Sequence, residues 1–199
     1  LAIDSLQDVA ALAPALAAFS DEFSNTRIRI LETTLSGTTE ALLERRADLV
    51  ISPYVPVGFV GRPLAGATLI PVAAPQHPLI ACARPVAETE LKRHRQLVLR
   101  DSGARNSVDA GWLQAEKRWT VSHFATSIKL LKTGLAFAFL PLEWIESELD
   151  SGALARLPLA TPMDRPVPLF LILSAQQAAG PATQALGDLL AAALSTRAS

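Results

Sequence analysis

Polar side chains occur at four places where the sequence predicts the end of a strand or the start of a helix. In parallel α/β sheets, ligands bind beyond the carboxyl ends of the strands, where loops and helix N-termini converge. We therefore predict that these side chains contact a small molecule. The predicted contacts at the four places are Ser5, Leu6 and Gln7 after the first strand, Ser36, Gly37 and Thr38 before the second helix, Arg100, Asp101 and Ser102 at a strand end, and Ser122, His123 and Phe124 at a helix start. Tyr54, in the loop region that follows the second helix and the next strand, is a further predicted contact.

The chemistry of these groups favours an anionic ligand. Helix N-termini leave backbone N–H groups unpaired and carry partial positive charge, so they attract a carboxylate or a phosphate. The hydroxyls of Ser36, Thr38 and Thr39 either cap the second helix, which needs only one of them, or also touch the ligand. Arg100 either pairs with the ligand anion or forms a salt bridge with Asp101 or another acid.

Three further side chains have structural alternatives. Asp101 fits the role of a cap or turn residue better than that of a catalyst. His123 either contacts the ligand or makes only structural hydrogen bonds. Tyr54 and Phe59 either cover the ligand or simply pack against neighbouring side chains.

Signatures of catalysis and of metal or cofactor binding are missing from the sequence. The patterns GxSxG, HExxH, GxxxxGK[ST] and GxGxxG do not occur. Cys82 is the single cysteine, and no Cys/His cluster has the spacing of metal ligands. We therefore predict a protein that is not an enzyme, that uses no cofactor and that binds no metal.

Composition narrows the class further. The chain has 199 residues, is 50% hydrophobic and carries a net charge of -1, so it can bury a full core or two small lobes. No stretch concentrates basic residues as a DNA-gripping surface does, and no apolar run approaches the roughly 20 residues that span a bilayer. The lone cysteine favours a reducing cytoplasm. Leu1 already belongs to a predicted strand, which indicates that residues precede it in the parent protein.

Hydrophobic periodicity predicts alternating strands and helices, which favours parallel sheets with right-handed crossovers. Pro14 falls inside the first helical pattern, so that helix either begins shortly before it or bends there. Two buried apolar strands, 69–74 and 167–174, are predicted to cross between two lobes. The other predicted strands are 1–4, 27–31, 48–52, 96–100, 119–122, 136–140 and 154–157, and the predicted helices are 9–23, 40–46, about 107–115, 124–132, 143–149 and one from Pro181.

An ordered set of segments resembles the effector-binding domain of LysR-type transcriptional regulators over essentially the whole chain. The matching segments are LAIDSLQDVAALAPALAAF, SGTTEALLERRADLVIS, PVAAPQHPLI, LVLRDSG and SIKLLKTGLAFAFLP. The loop from Ile51 to Pro63 is richer in proline and aromatic residues than is usual for the family, so the identity of the effector is not carried over.

The resemblance implies an α/β fold of two Rossmann-like lobes joined by two crossover strands, as in type II periplasmic binding proteins. Residues 1–73 plus 172–199 would form lobe I and residues 74–171 lobe II, with the effector between them. A winged helix-turn-helix domain that reads DNA would belong to the parent protein and is absent from these 199 residues. A homodimer, possibly a tetramer, would pair the 9–23 helix of one subunit with the 124–132 helix of another.

The predicted function is therefore that of a cytoplasmic sensor that binds a small, anionic metabolite and transmits its presence to a DNA-binding domain. The alternative is the solute-binding protein of a transporter, which shares the two-lobed architecture but would be exported and monomeric. An enzyme would need a nucleophile or converging titratable groups, which the sequence does not reveal.

Overall fold

The computed structural model of the chain describes residues 1–82, 84–105, 111–174 and 179–195. The chain forms two compact units. The first contains Leu1–Ala67 with the described parts of Asp101–Val108 and Val167–Ser199, and the second contains Thr68–Arg100 with the described part of Asp109–Pro166.

These boundaries differ from the sequence-based ones, 1–73 plus 172–199 and 74–171. The largest difference is the segment after Arg100, which was predicted in lobe II and belongs to the first unit. Its backbone and side chains are hydrogen-bonded to residues 34–40.

The described residues form nine strands and seven α-helices. The strands are β1 (Ala2–Asp4), β2 (Leu31–Thr33), β3 (Leu49–Ser52), β4 (Gly61–Ala73), β5 (Arg95–Leu99), β6 (Lys117–Val121), β7 (Phe137–Pro141), β8 (Ala155–Arg156) and β9 (Arg165–Leu173). The helices are α1 (Ala13–Glu22), α2 (Ser36–Leu43), α3 (Pro78–Ala81), α4 (Glu88–Leu91), α5 (Phe124–Leu131), α6 (Glu146–Asp150) and α7 (Pro181–Ser195).

The sheet of the first unit has β1 at its centre. β1 pairs in parallel with β2 and β3, and β9 runs antiparallel to β3. Side chains alternate across the sheet, so Ala2 faces α2 together with Leu42 and Val50. Ile3 lies on the opposite face, in a cluster with residues of α1 and α7 such as Phe19.

Proline fixes where the first helix starts. A 3-10 turn at Val9–Leu12 leads into α1, and Pro14 occupies the first turn of α1, where its missing N–H is not needed. The prediction that the helix begins shortly before Pro14 is therefore confirmed. The strand predicted at 27–31 is wrong for 27–30: these residues form no strand, and the aliphatic alternation there reflects the packing of Ile28 against the core.

In the second unit, β7 lies between β4 and β5. β7 is antiparallel to β4 and parallel to β5, β6 continues in parallel from β5, and β8 pairs with β4. Its core includes Ala73, Leu91 and Phe137.

Two predicted helices differ from the structure of this unit. The 143–149 helix is divided into a 3-10 turn at Leu142–Trp144 and the short α6. Of the helix predicted at about 107–115, residues 111–115 are not helical, and the remainder lies outside the described residues.

The chain passes between the units within β4 and again within β9, since the boundaries fall after Ala67 and before Val167. β4 starts at Gly61, eight residues earlier than predicted. Across the described ranges of the chain, no helix combines the length and the apolar composition that crossing a membrane requires.

We predict that Leu190→Ala lowers the free energy of unfolding by about 3 kcal/mol, because Leu190 is fully buried between the sheet and α1. The measurement is urea denaturation followed by circular dichroism. Asp188→Ala in the same helix is the matched control: its side chain is 79% exposed and only pairs with Arg62, so its effect should stay below about 1 kcal/mol. Equal losses in the two variants would contradict the assignment of α7 to the core.

Candidate functional site

A strained turn leads into α2. The N–H of Gly37 donates to the carbonyl of Thr34 at 3.1 Å, and Leu35 has φ 52° and ψ -119°. These values describe a type II′ turn, whose second position normally holds glycine. A leucine with positive φ costs on the order of 1–3 kcal/mol and persists only where surrounding contacts hold it.

The helix-capping prediction for this turn is wrong. The residue in the N-cap position is Leu35, which has no capping side chain. Ser36 is the first helical residue and directs its hydroxyl to Asp101, while the Thr38 hydroxyl is hydrogen-bonded to Asp4.

A loop of residues 101–105, which we call the 101–105 loop, holds the turn from outside. The N–H of Thr34 donates to Ser102 Oγ at 2.8 Å. Ser102 in turn donates to the carbonyl of Thr34 from its own N–H at 3.3 Å and from its hydroxyl at 3.2 Å. Three hydrogen bonds therefore fix both backbone groups of Thr34, the residue that precedes the strained Leu35.

Asp101 and Glu40 fix the rest of this loop. Asp101 Oδ1 accepts the Gly103 N–H at 2.8 Å, and Asp101 Oδ2 accepts the Ser36 hydroxyl at 2.7 Å. The carboxylate of Glu40 accepts the N–H groups of Ala104 at 2.8 Å and of Arg105 at 2.9 Å. The prediction that Asp101 is a turn residue is confirmed.

Two glycines allow the loop and the helix to approach this closely. A Cβ added at Gly37 would overlap Ser102 Oγ, and one added at Gly103 would overlap Ser36 Oγ. A Cβ at Gly37 would also lie 2.9 Å from the Ser102 carbonyl carbon, so a larger residue there would displace the 101–105 loop from α2.

A buried polar cluster of Asp4, Thr33 and Thr38 lies beneath the turn. Asp4 is 2% exposed and Thr38 is fully buried. Thr38 Oγ1 lies 2.8 Å from Asp4 Oδ2 and 2.9 Å from Thr33 Oγ1. Asp4 Oδ1 accepts the Leu6 N–H at 3.1 Å, and the Leu35 N–H also donates to this carboxyl.

Burial raises the pKa of the Asp4 carboxyl to about 6. The hydrogen bonds with Leu6, Thr38 and Leu35 lower this pKa but do not outweigh the loss of solvation, and the negative charge of Asp101 adds to the increase.

A groove of about 510 Å³ opens beside the turn. The hydroxyl-bearing Ser36 and Thr39 lie on its wall, and Leu43 and Tyr54, each 57% exposed, give it an apolar side. Its lining residues are Leu35, Ser36, Thr39, Glu40, Leu43, Glu44, Pro53, Tyr54 and Arg105.

A larger groove of about 900 Å³ in the same unit is the weaker candidate. It lies at the amino ends of the strands, beside Leu1, Leu31 and Leu49. Ligands of parallel α/β sheets bind at the carboxyl ends, so the groove beside Ser36 fits a ligand site better.

The first unit brings together the predicted residues that it contains. The turn formed by Ser5, Leu6 and Gln7 encloses Asp4: the Ser5 N–H donates to the carbonyl of Thr33 at 2.8 Å, and the Gln7 side chain donates to the carbonyl of Asp8 at 3.0 Å. Gly37 and Ser102 are in contact, and Tyr54 lines the groove with Ser36. Phe59 packs against the core cluster on the α2 face of the sheet.

The second unit contains the other four predicted residues. The N–H of Arg100 donates to the carbonyl of Val121 at 2.8 Å, which joins the ends of β5 and β6. Ser122 and His123 are exposed, and His123 occupies the N-cap position of α5. Phe124 is buried against the ring of Trp144.

Four residues that organise the site were missed by sequence reasoning: Asp4, Thr33, Thr34 and Glu40. Two of them had a signal. Asp4 ends an otherwise apolar strand, and Glu40 interrupts the buried face of α2 between Thr38 and Ala41. A charged residue in a buried position indicates a specific partner, and such a reading would have selected both.

Comparison with known proteins identifies the family to which the chain belongs. The sequence profile described as the LysR substrate binding domain matches residues 1–195. The chain belongs to this family. Its members are domains of transcription regulators, so the chain is a LysR-type regulatory domain, and the transporter alternative is not supported.

A curated relative agrees with this membership. The chain is 30% identical over 159 residues to an uncharacterized HTH-type transcriptional regulator, YeeY, of Escherichia coli strain K12, covering 77% of this chain and 52% of that protein. The chain thus spans about half the length of the curated relatives it matches.

The regulatory domain of CcmR from Synechocystis PCC6803, solved in complex with 2-PG, is similar in fold. It has a TM-score of 0.76 at 16% identity, over 98% of this chain and 96% of that one. The effector binding domain of QuiR, in complex with shikimate, has a TM-score of 0.70 at 14% identity, over 97% of this chain and 94% of that one. The predicted α/β fold of the type II periplasmic-binding-protein kind is confirmed.

We predict that Glu40→Ala releases the 101–105 loop, because it removes the acceptor of two backbone N–H groups. The free energy of unfolding should fall by about 1–3 kcal/mol, and the amides of Ala104 and Arg105 should exchange with solvent faster, as measured by hydrogen–deuterium exchange.

The matched control is Glu44→Ala, one helical turn away on the same chain segment. Among the described residues, the Glu44 carboxylate forms ion pairs with Arg46 at 2.9 Å and with Arg105 at 2.8 Å, so its loss should leave both amides protected. If Glu44→Ala exposes them as much as Glu40→Ala does, the loop is held by the Arg105 side chain and the proposed role of Glu40 is wrong.

Proposed function

We propose that this regulatory domain senses a small anionic metabolite that binds at the groove beside the 34–37 turn and thereby controls a DNA-binding transcription regulator. The observation that carries the proposal is the match of the family profile to residues 1–195, in a chain whose strained turn and hydroxyl-lined groove lie at the carboxyl ends of parallel strands. The ligand complexes of CcmR and QuiR support a small-molecule effector.

The Ser36 hydroxyl supports an acidic ligand. It already donates to one carboxylate, that of Asp101, at 2.7 Å, and it does so at the first residue of a helix, where partial positive charge accumulates. An effector carboxylate would compete with Asp101 for this donor. Because Asp101 anchors the 101–105 loop, such competition would change how the loop is held.

The groove suggests which contacts an effector makes in the first unit. Ser36 and Thr39 offer hydroxyls to its charged end, and Tyr54 and Leu43 offer apolar surface to its body. Thr38 is fully buried and Gly37 is covered by Ser102, so these two would support the turn and not touch the ligand. Effector contact by the exposed Arg100, Ser122 and His123 of the second unit stays a prediction. Phe124 is the weakest predicted contact of that group, because its side chain is buried.

A regulator responds to its ligand only through a difference in affinity between two conformations. A coupling of about 1–3 kcal/mol is enough to shift such an equilibrium. In this domain we propose that the strained 34–37 turn and the 101–105 loop form the element with two arrangements.

The remaining properties concern the parent protein. DNA would be bound by residues outside this chain, the protein would act in the cytoplasm as a homodimer or tetramer, and it would catalyse no reaction and need no cofactor. The family membership of the chain and its HTH-type relatives support this description.

A thermal-shift screen of organic acids and amino acids tests the ligand proposal. We expect a hit whose dissociation constant, measured by calorimetry, rises roughly tenfold in Ser36→Ala, because a hydrogen bond to a charged group is lost. Ser20→Ala is the control, since Ser20 is an exposed serine in the same unit that bonds only to the carbonyl of Leu16. A ligand that binds Ser36→Ala and the wild type equally would contradict the site.

The dimer proposal pairs α1 of one protomer with α5 of its partner. Ala17 and Ala18 lie on the exposed face of α1, so Ala18→Glu should lower the fraction of dimer in sedimentation velocity without unfolding the domain. The control is Ala192→Glu, an equivalent change at an exposed position of α7. If the control weakens the dimer and Ala18→Glu does not, the interface lies elsewhere.

A further inference from the structure

The cluster beneath the 34–37 turn contains more hydrogen bonds than its hydroxyl protons can make. Three oxygen–oxygen contacts follow one another: Asp4 Oδ2 to Thr38 Oγ1 at 2.8 Å, Thr38 Oγ1 to Thr33 Oγ1 at 2.9 Å, and Thr33 Oγ1 to the carbonyl of Ile3 at 3.1 Å. Each contact needs one proton. The two threonine hydroxyls supply two.

The direction of the series identifies the source of the third proton. The Ile3 carbonyl can only accept, so Thr33 donates to it and must accept from Thr38. Thr38 has then used its single proton and must itself accept from Asp4. All three contacts form only if the Asp4 carboxyl is protonated and donates through Oδ2.

The surroundings of Asp4 agree with a neutral carboxyl. Asp4 is 2% exposed and Thr33 is 5% exposed, so water does not solvate a charge there. Among the described residues, the charged group that acts on Asp4 through space is Asp101, which has the same sign. From α2 the nearest titratable side chain along the helix is Glu40, also an acid, and β2 contributes the non-titrating Thr33.

We propose that Asp4 is a positioning residue of the effector site that carries a proton in the resting domain, and that binding of an anion at Ser36 and binding of this proton strengthen each other. The second part of the proposal depends on the function proposed above. The protonated carboxyl orients Thr38 in α2 and accepts the N–H of Leu35, so it supports the strained turn from beneath. An ionised Asp4 would add a second negative charge beneath the place where the effector anion binds.

Thermodynamic linkage requires the effect of the proton on anion affinity to equal the effect of the anion on proton affinity. If the proton raises the affinity for the anion by some factor, the anion raises the affinity of Asp4 for the proton by the same factor. The affinity of the domain for an anion should therefore fall as the pH rises through the pKa of Asp4, which burial sets at about 6.

The first experiment measures the proton itself. In the 199-residue chain labelled with ¹³C, the carboxyl carbon of Asp4 is assigned by its absence in Asp4→Asn, and its chemical shift is followed against pH. We expect a midpoint near 6. A midpoint at or below the ordinary value of about 3.9 would overturn the inference, whatever the domain binds.

The second experiment uses two replacements of Asp4. Asparagine can donate to Thr38 through its amide and accept from Leu6 through its oxygen, as the protonated acid does, whereas alanine does neither. A raised carboxyl pKa means that the folded wild type loses stability as the pH rises from about 4 through about 6. Asp4→Asn should therefore melt near the wild-type melting temperature at about pH 5 and several degrees above the wild type at about pH 7.5. Asp4→Ala should melt below the wild type at both pH values. If Asp4→Asn melts as low as Asp4→Ala at the higher pH, Asp4 is not a proton donor.

The third experiment tests the coupling with sulfate, whose charge is constant over this pH range. At matched ionic strength with chloride, sulfate should raise the melting temperature of the wild type more at about pH 5 than at about pH 7.5. In Asp4→Asn the increase should be equal at the two values, and in Ser36→Ala it should disappear. A pH dependence that persists unchanged in Asp4→Asn would overturn the coupling.

The outcomes separate this inference from the proposed function. An absent sulfate effect in the wild type, or an effect that Ser36→Ala retains, contradicts the anion site and with it the coupling. The carbon titration and the comparison of the asparagine and alanine variants still decide whether Asp4 carries the proton.

Discussion

The attachment of the 101–105 loop to the strained 34–37 turn is the constraint on which the site depends. Leu35 adopts a backbone conformation that leucine rarely occupies. Two contacts hold it there: the neighbouring Thr34 is hydrogen-bonded to Ser102, and the N–H of Leu35 donates to the Asp4 carboxyl. Two glycines permit the close approach, and Glu40 holds the far end of the loop. Strain at a ligand site is useful because a small change in contacts can shift it between two arrangements.

The strands of the first unit explain why a carboxyl group is buried at this point. β1 is covered on one face by α2 and on the other by α1 and α7, so Ala2 and Ile3 are both fully buried. Asp4 continues this strand and is enclosed by the same layers. Burial removes its solvation and raises its pKa, and the hydrogen bond with Thr38 ties the end of β1 to the start of α2.

The sequence predicted the elements well where local signals are strong. Pro14 and Pro181 mark helix starts, and the aliphatic run at 48–52 marks a buried strand, because proline geometry and apolar periodicity act over a few residues. Leu35 gave no signal, since a leucine in a glycine-like conformation is imposed by contacts that are distant in sequence. The docking of residues 101–105 on α2 was missed for the same reason: Asp101 follows β5 in the chain, and its partner Ser36 lies 65 residues earlier. Sequence reasoning therefore selected Ser36, Thr38, Asp101 and Ser102 but missed the residues that organise the site with them: Asp4, Thr33, Thr34 and Glu40.

Neither unit is a continuous stretch of the chain, and this has a consequence for biosynthesis. The apolar face formed by Ile3, Leu12 and Phe19 is covered by α7, which follows all the other described elements in the chain, and β9 completes the sheet only after residue 165. The second unit needs no residue beyond Pro166. On the ribosome, where domains fold as their residues emerge, the later-encoded unit is complete before the earlier one. The nascent first unit therefore exposes its core until α7 has left the ribosome.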